Sequence, residues 1–152
     1  MKRTTGSEGF TLVEVLVVLS LLAVVAIISL PYAVTSGDAR RLDATAQVIA
    51  TKLRETQTSA LFNNQENVLS MDLKKRLLLQ VESNRTYAIP GDMQIQVLTA
   101  ENEVLDDSAA FRFFPEGGST GGKITLSKAD LKREIAINWL TGAVVVSAGE
   151  TP

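Results

Sequence analysis

The chain has 152 residues, with 15 Lys and Arg against 17 Asp and Glu, and it contains no His and no Cys. Without those two residue types it has no disulfides, no thiolate or imidazole metal ligands, and neither the commonest general base nor a thiol nucleophile. Its mildly acidic balance also lacks the basic excess of a sequence-independent nucleic-acid binder. No enzyme activity, cofactor or metal is therefore expected.

In chain order, a short start carrying Lys2 and Arg3 leads into twenty uncharged residues, Val15 to Val34. At ~1.5 Å of helical rise per residue such a run covers the ~30 Å hydrocarbon core of a bilayer. The basic residues before it set the amino terminus on the cytoplasmic side. A removed signal peptide fits poorly, because its apolar region is only ~7–15 residues and ends in a small-residue cleavage site. Here Pro31-Tyr32-Ala33 is the only candidate near the end of the run, and it does not match. A plain single-pass anchor accounts for the run and for Lys2 and Arg3. It leaves unexplained the Gly9-Phe10 junction and Glu14, a carboxylate at the edge of an apolar segment, where an acid is unfavourable against lipid unless it has a partner or a task.

Gly9-Phe10-Thr11-Leu12-Val13-Glu14 resembles the processing motif of the type IV pilin superfamily, which includes type IV pilins and the pseudopilins of type II secretion. The resemblance implies that residues 1–9 are a leader. A prepilin peptidase would cut it after Gly9 on the cytoplasmic side and methylate the new amino terminus at Phe10. It also implies an assembly role for Glu14, whose carboxylate would meet the terminal amine of a neighbouring subunit. Physical chemistry agrees: a carboxylate and an ammonium in a low-dielectric core attract strongly and relieve each other's desolvation, whereas either alone is costly. Cleavage takes Lys2 and Arg3 from the 15 basic residues and Glu8 from the 17 acidic ones, leaving 13 and 16.

Pro31 removes one helical donor and crowds the preceding turn, which predicts a helix kink or a locally melted stretch there, and Gly37 weakens the helix further. The resemblance implies that the helix loosens at Pro31 when packed into a filament. After Asp38 the pattern becomes amphipathic, with Leu42, Ala46, Ile49, Leu53 and Ala60 on one face. From about Val68 onward, strand-like runs take over: Val68–Leu73, Leu77–Glu82, Met93–Thr99, Ala110–Phe114, Lys123–Leu126, Glu134–Trp139 and Ala143–Ser147. Lys74-Lys75-Arg76 reads as a charged reversal, Pro90-Gly91-Asp92 as a turn, and Leu140-Thr141-Gly142 as the tip of a hairpin.

Gly117 to Lys123 satisfies the first seven positions of a phosphate-binding loop. Ile124 stands where a Ser or Thr must reach magnesium, and a strand follows where a helix is needed. The segment is expected to be a flexible glycine-rich hairpin loop. Glu101, Glu103, Asp106 and Asp107 could supply oxygens to calcium, but a solvated acidic loop is the commoner outcome. Trp139, before a tight turn, is expected to be a core or corner residue.

The run Phe113 to Gly122 and the run Trp139 to Val144 are similar to the F-x-P-x-G-x-x-x-G-G and W-x-T-G-x-V elements of the GspH/FimT group of that superfamily, and most like its GspH side. This implies an α+β fold: a long amino-terminal helix, transmembrane and then amphipathic, packed on a mostly antiparallel β domain. The expected organisation is a leader at 1–9, a transmembrane and filament-core helix at 10–37, and a periplasmic GspH-like domain at 38–152, assembled into a pseudopilus at the inner membrane. The implied function is that of a minor pseudopilin of type II secretion, at or near the pseudopilus tip. Its implied partners are other minor and major pseudopilins, the prepilin peptidase and exported proteins. The alternative is a FimT-like minor type IV pilin, a class that in some bacteria contributes to DNA uptake. Lys123, Lys128, Lys132 and Arg133 could form a local basic strip for that purpose, although the acidic balance makes DNA an unexpected partner.

Overall fold

A single helix, α1 (Leu12–Asn63), precedes all the β structure. The computed structural model describes residues 11–99, 104–105 and 107–149, with the backbone alone described at 27–36 and 104–105. The chain divides between Gly37 and Asp38 into two units, each treated by itself below.

In the first unit α1 starts at a Thr cap and is helical through Pro31 and Gly37 without a break. The kink expected at Pro31 concerns a side chain outside the described ones.

In the second unit α1 presents the face that the periodicity predicts. Leu42, Ala46, Ile49, Leu53 and Ala60 are buried, and Ala50 joins them. The helix ends where Asn64 adopts φ 51° and the Gln65 amide donates to the Ala60 carbonyl at 3.2 Å. This closure of the last turn satisfies an otherwise orphaned carbonyl, and Asn tolerates the left-handed conformation it needs.

Among the described residues nine strands follow: β1 (Asn67–Asp72), β2 (Leu77–Gln80), β3 (Arg85–Ala88), β4 (Gln94–Leu98), β5 (Val104–Leu105), β6 (Ser108–Phe113), β7 (Gly122–Lys128), β8 (Leu131–Ile137) and β9 (Val144–Ala148). They form two sheets, a five-stranded one ordered β3-β2-β1-β6-β5 and a four-stranded one ordered β4-β7-β8-β9. All pairings are antiparallel. Alternation explains why β1, β6 and β7 bury every second side chain. Leu69 stands opposite Phe111 and Met71 opposite Ala109 in the first sheet, and Ile124 opposite Ile135 in the second, all six buried. Leu69, Met71, Phe111, Ile124 and Ile135 join the buried face of α1 in one hydrophobic cluster.

The expected strands are found within a residue or two at each end, except that β8 begins three residues before its expected start. β3 and β5 were not expected. Arg85–Ala88 carries little apolar patterning because it is an edge strand, mostly exposed, and β5 is only two residues long. Lys74-Lys75-Arg76 and Leu140-Thr141-Gly142 do close hairpins, β1–β2 and β8–β9.

Candidate assembly site

Gly9 and Phe10 lie outside the described residues. Glu14 is in the first turn of α1, where its amide donates to the Thr11 carbonyl at 3.1 Å and to Thr11 Oγ1 at 3.3 Å. Thr11 is thus the cap of the helix, and Thr-x-x-Glu is the local capping pattern that signals it in the sequence. The Glu14 carboxylate is exposed and has no hydrogen-bond or ion-pair partner among the described residues. Around it, every described large apolar side chain from Leu12 to Val25 is exposed, by 48 to 78%. An exposed acid beside a run of exposed apolar side chains is the combination that calls for a partner or a task. Among the described residues no helix is long and apolar enough to cross a membrane; the expected span, Val15–Val34, extends past Ala26 into residues whose side chains are not described.

At the start of the second unit a cluster of charges ties α1 to the sheets. Lys128 Nζ, at the end of β7, lies 2.9 Å from Asp38 and 2.5 Å from Asp92, and Arg41 lies 3.7 Å from Asp92. Arg133 pairs with Asp43. Hydrogen bonding to Asp92 and then to Asp38 raises the Lys128 pKa, and the same contact with Lys128 holds the Asp92 carboxyl below the ordinary carboxylate range. Further along, Lys52 sits 4.3 Å from the centroid of the Tyr87 ring of β3 and 2.7 Å from Glu55, and Glu55 is the main reason its pKa is raised.

These pairings bear directly on the basic strip. Lys123 is 2.9 Å from Glu134, so three of the four cations, Lys123, Lys128 and Arg133, are matched with carboxylates. Of the acidic group, Asp107 pairs with Lys74 at 3.2 Å, while Glu101, Glu103 and Asp106 lie outside the described residues. No metal-binding group of three or more acids occurs among the described residues.

One expectation needs correction. The Gly117–Gly122 segment is not a hairpin loop: it carries the chain from β6 in one sheet to β7 in the other. Nor is it loose. Ser119 is buried, its amide donates to the Trp139 carbonyl at 2.8 Å and its hydroxyl to the Asn138 carbonyl at 3.0 Å, while the Thr120 amide donates to Arg112. Gly117, Gly121 and Gly122 have positive φ (101, 70 and 142°), so glycine is there to allow a fixed crossing. Trp139 is a corner residue, as one of the two expected positions, but its ring is not in the core: it is 68% exposed. A lone Trp in a strand-like run gives no sign of which side of a corner it faces.

The family model for the prokaryotic N-terminal methylation motif matches residues 5–30. Type II secretion system protein H of Xanthomonas campestris pv. campestris is 29% identical over 147 residues, covering 95% of this chain and 86% of that protein. The described fold is similar to that of the minor pseudopilin EpsH from the type 2 secretion system of Vibrio cholerae, with a TM-score of 0.56 at 14% identity over 72% of this chain and 99% of that one. The chain is similar to type IV pilin-like proteins in its amino-terminal motif and in its fold. Its pilin-like fold is equally similar to the Pseudomonas aeruginosa type IV minor pilin FimU, with a TM-score of 0.56 at 12% identity over 75% of this chain and 96% of that one. At such identities the solved structures speak to the pilin fold alone. The similarity to protein H runs along almost the whole length of the pilin-like chain.

Proposed function

We propose that this chain is a minor pseudopilin of a type II secretion system, a structural subunit at or near the tip of a periplasmic pseudopilus that helps it assemble and engage exported proteins. The observation that carries this reading is the 29% identity to a type II secretion protein H over 95% of the chain. The mode of action is mechanical. The prepilin peptidase cuts after Gly9 and methylates Phe10, and the uncovered apolar half of α1 is held first in the inner membrane and then among neighbouring helices. Glu14 meets the terminal amine of an adjacent subunit, and Pro31 marks where the helix yields on packing. The amino terminus is cytoplasmic and the domain that begins at Asp38 is periplasmic. The role is structural and not catalytic.

The second reading, a FimT-like minor type IV pilin, is favoured by one observation, the equal structural similarity to FimU. Deleting the chain from its source organism and measuring both outputs separates the two. Loss of exported proteins from the medium with normal surface pili and normal DNA uptake supports the pseudopilin. Normal export with defective pili overturns it.

A further inference from the structure

Each sheet ends in two outer strands, and three of these four edges carry a guard against pairing with another chain. Shortness, charge and proline are the usual guards. β5 has two residues, and β3 has four, carries Arg85 and is followed by Ile89-Pro90. On β9 the Val144 carbonyl already accepts a hydrogen bond from the Arg54 guanidinium of α1 at 2.8 Å. β4 has no such guard. It is the outer strand of the four-stranded sheet and pairs with β7 alone, and from Met93 to Thr99 the chain holds neither a charged residue nor a proline. An antiparallel ladder uses the backbone groups of alternate residues and leaves the others pointing along the free side. For Gln94–Leu98 those others have no backbone partner among the described residues.

The side chains of β4 decide which strand fits that edge. Ile95 and Val97 are half-buried and pack against the core cluster, while Gln94, Gln96 and Leu98 stand on the exposed face. A second copy of β4, laid antiparallel about a two-fold axis at Gln96, would set Ile95 opposite the other copy's Val97, Gln94 opposite its Leu98, and Gln96 opposite itself. Opposed residues of an antiparallel pair share a face. Apolar side chains therefore meet on the core side, and the Gln96 amide, both donor and acceptor, meets its own kind on the outer side. No charge is brought against a like charge. Asp92, the nearest ionised residue before the strand, is already held by Lys128 at 2.5 Å and Arg41 at 3.7 Å. The edge is thus complementary to itself, which is the condition for a two-fold contact. It offers a phosphate backbone no cation and a charged strand no counter-charge.

We propose that β4 is a self-pairing edge: two copies of this chain join β4 to β4 antiparallel about Gln96, making one continuous sheet of two four-stranded ones. The pairing stands apart from the secretion reading, which leaves this strand without a role. The chain has no Cys, so one introduced thiol reports one contact. The full-length chain is produced in membranes with Gln96→Cys or, as the control, Ser147→Cys. Gln96, Thr125, Glu134 and Ser147 form one row across the sheet, so Ser147 is its counterpart on the opposite edge and is also exposed. Oxidation, or a short bifunctional maleimide, should link two copies of this chain through Gln96→Cys and none through Ser147→Cys. Gln96→Lys sets two ammonium groups against each other across the axis. It should lower the dimer fraction of the detergent-solubilised full-length chain, measured by light scattering, about fivefold with its circular dichroism unchanged. A monomeric parent, no link or a link to a different chain from Gln96→Cys, equal linking from both positions, or a dimer that Gln96→Lys leaves intact overturns the proposal. Each of those results leaves the secretion reading to the deletion experiment.

Discussion

The Thr11 hydroxyl oxygen accepts the amide hydrogen of Glu14 at 3.3 Å, so the residue next to Phe10 fixes the helical turn that carries the carboxylate. The bond uses the Glu14 backbone alone. Its side chain is left exposed, without a partner among the described residues, and replacing it removes no hydrogen bond or ion pair among them. Glu14→Ala should therefore insert and fold as the parent does, yet fail to co-purify with other pseudopilins. Comparing membrane-fraction levels with pull-down yield checks this; normal incorporation of the Ala variant rules out the pairing with a neighbouring amine.

Processing can be tested one step earlier. The peptidase must fit the residue before the cut, so a bulky side chain at Gly9 should leave the full-length precursor in the inner membrane. Intact-mass measurement should find the parent starting at a methylated Phe10 and the Gly9→Leu variant starting at Met1 or Lys2. Any other mature start counts against the pilin-like processing route.

What the sequence made legible follows from how local each signal is. The buried face of α1 from Leu42 to Ala60 and the alternation in β1 and β6 are short-range periodicities, and they appear in the fold as expected. The destination of the chain after Phe113 is not local. Nothing near Gly117 says that the next strand joins the other sheet, so the crossing reads as a hairpin and Trp139 as a core or corner residue. The charge partners were hidden for the same reason: Asp43 and Arg133 are 90 residues apart. Thr-x-x-Glu, by contrast, is local and legible at Thr11 and Glu14.

The division after Gly37 sets an expectation for the isolated domain. The buried cluster draws its helical members from Leu42 onward, so a chain beginning at Asp38 keeps every member of the described core. It should be soluble without detergent and show mixed helix and strand by circular dichroism. Aggregation in the absence of detergent would mean that residues before Asp38 are needed to complete the core.

Acid should loosen that domain in part through Asp92. The hydrogen bond from Lys128, assisted by Arg41, lowers its pKa below the ordinary 3.8. A folded-state pKa below the unfolded one contributes stability that is complete above the unfolded value and disappears as pH falls through the folded one. The raised pKa of Lys128 works in the opposite sense, with its contribution complete below 10.5 and lost as pH rises beyond it. Urea unfolding of the parent domain should therefore show a steeper loss of stability below about pH 4 than that of Asp92→Asn, following the ordinary carboxylate range. Parallel profiles for the two proteins would remove Asp92 from the account.

The last prediction separates the two function classes by their affinity for DNA. Sequence-independent binding draws on counterion release by clustered cations, from a duplex with one negative charge per ~1.7 Å of axis, and weakens steeply with salt. Lys123, Lys128 and Arg133 are engaged by Glu134, by Asp38 with Asp92, and by Asp43, so a phosphate must compete with carboxylates already in place. Such pairs cost little to break at an exposed site, but the acids remain nearby and repel the incoming strand. Titration of duplex DNA at near-physiological salt should show only weak, nonspecific association. Micromolar or tighter binding that is lost on substituting Lys123, Lys128, Lys132 and Arg133 would overturn the secretion reading and favour a FimT-like one. Tight binding that survives those substitutions would place the DNA contact elsewhere on the domain and overturn the secretion reading as well.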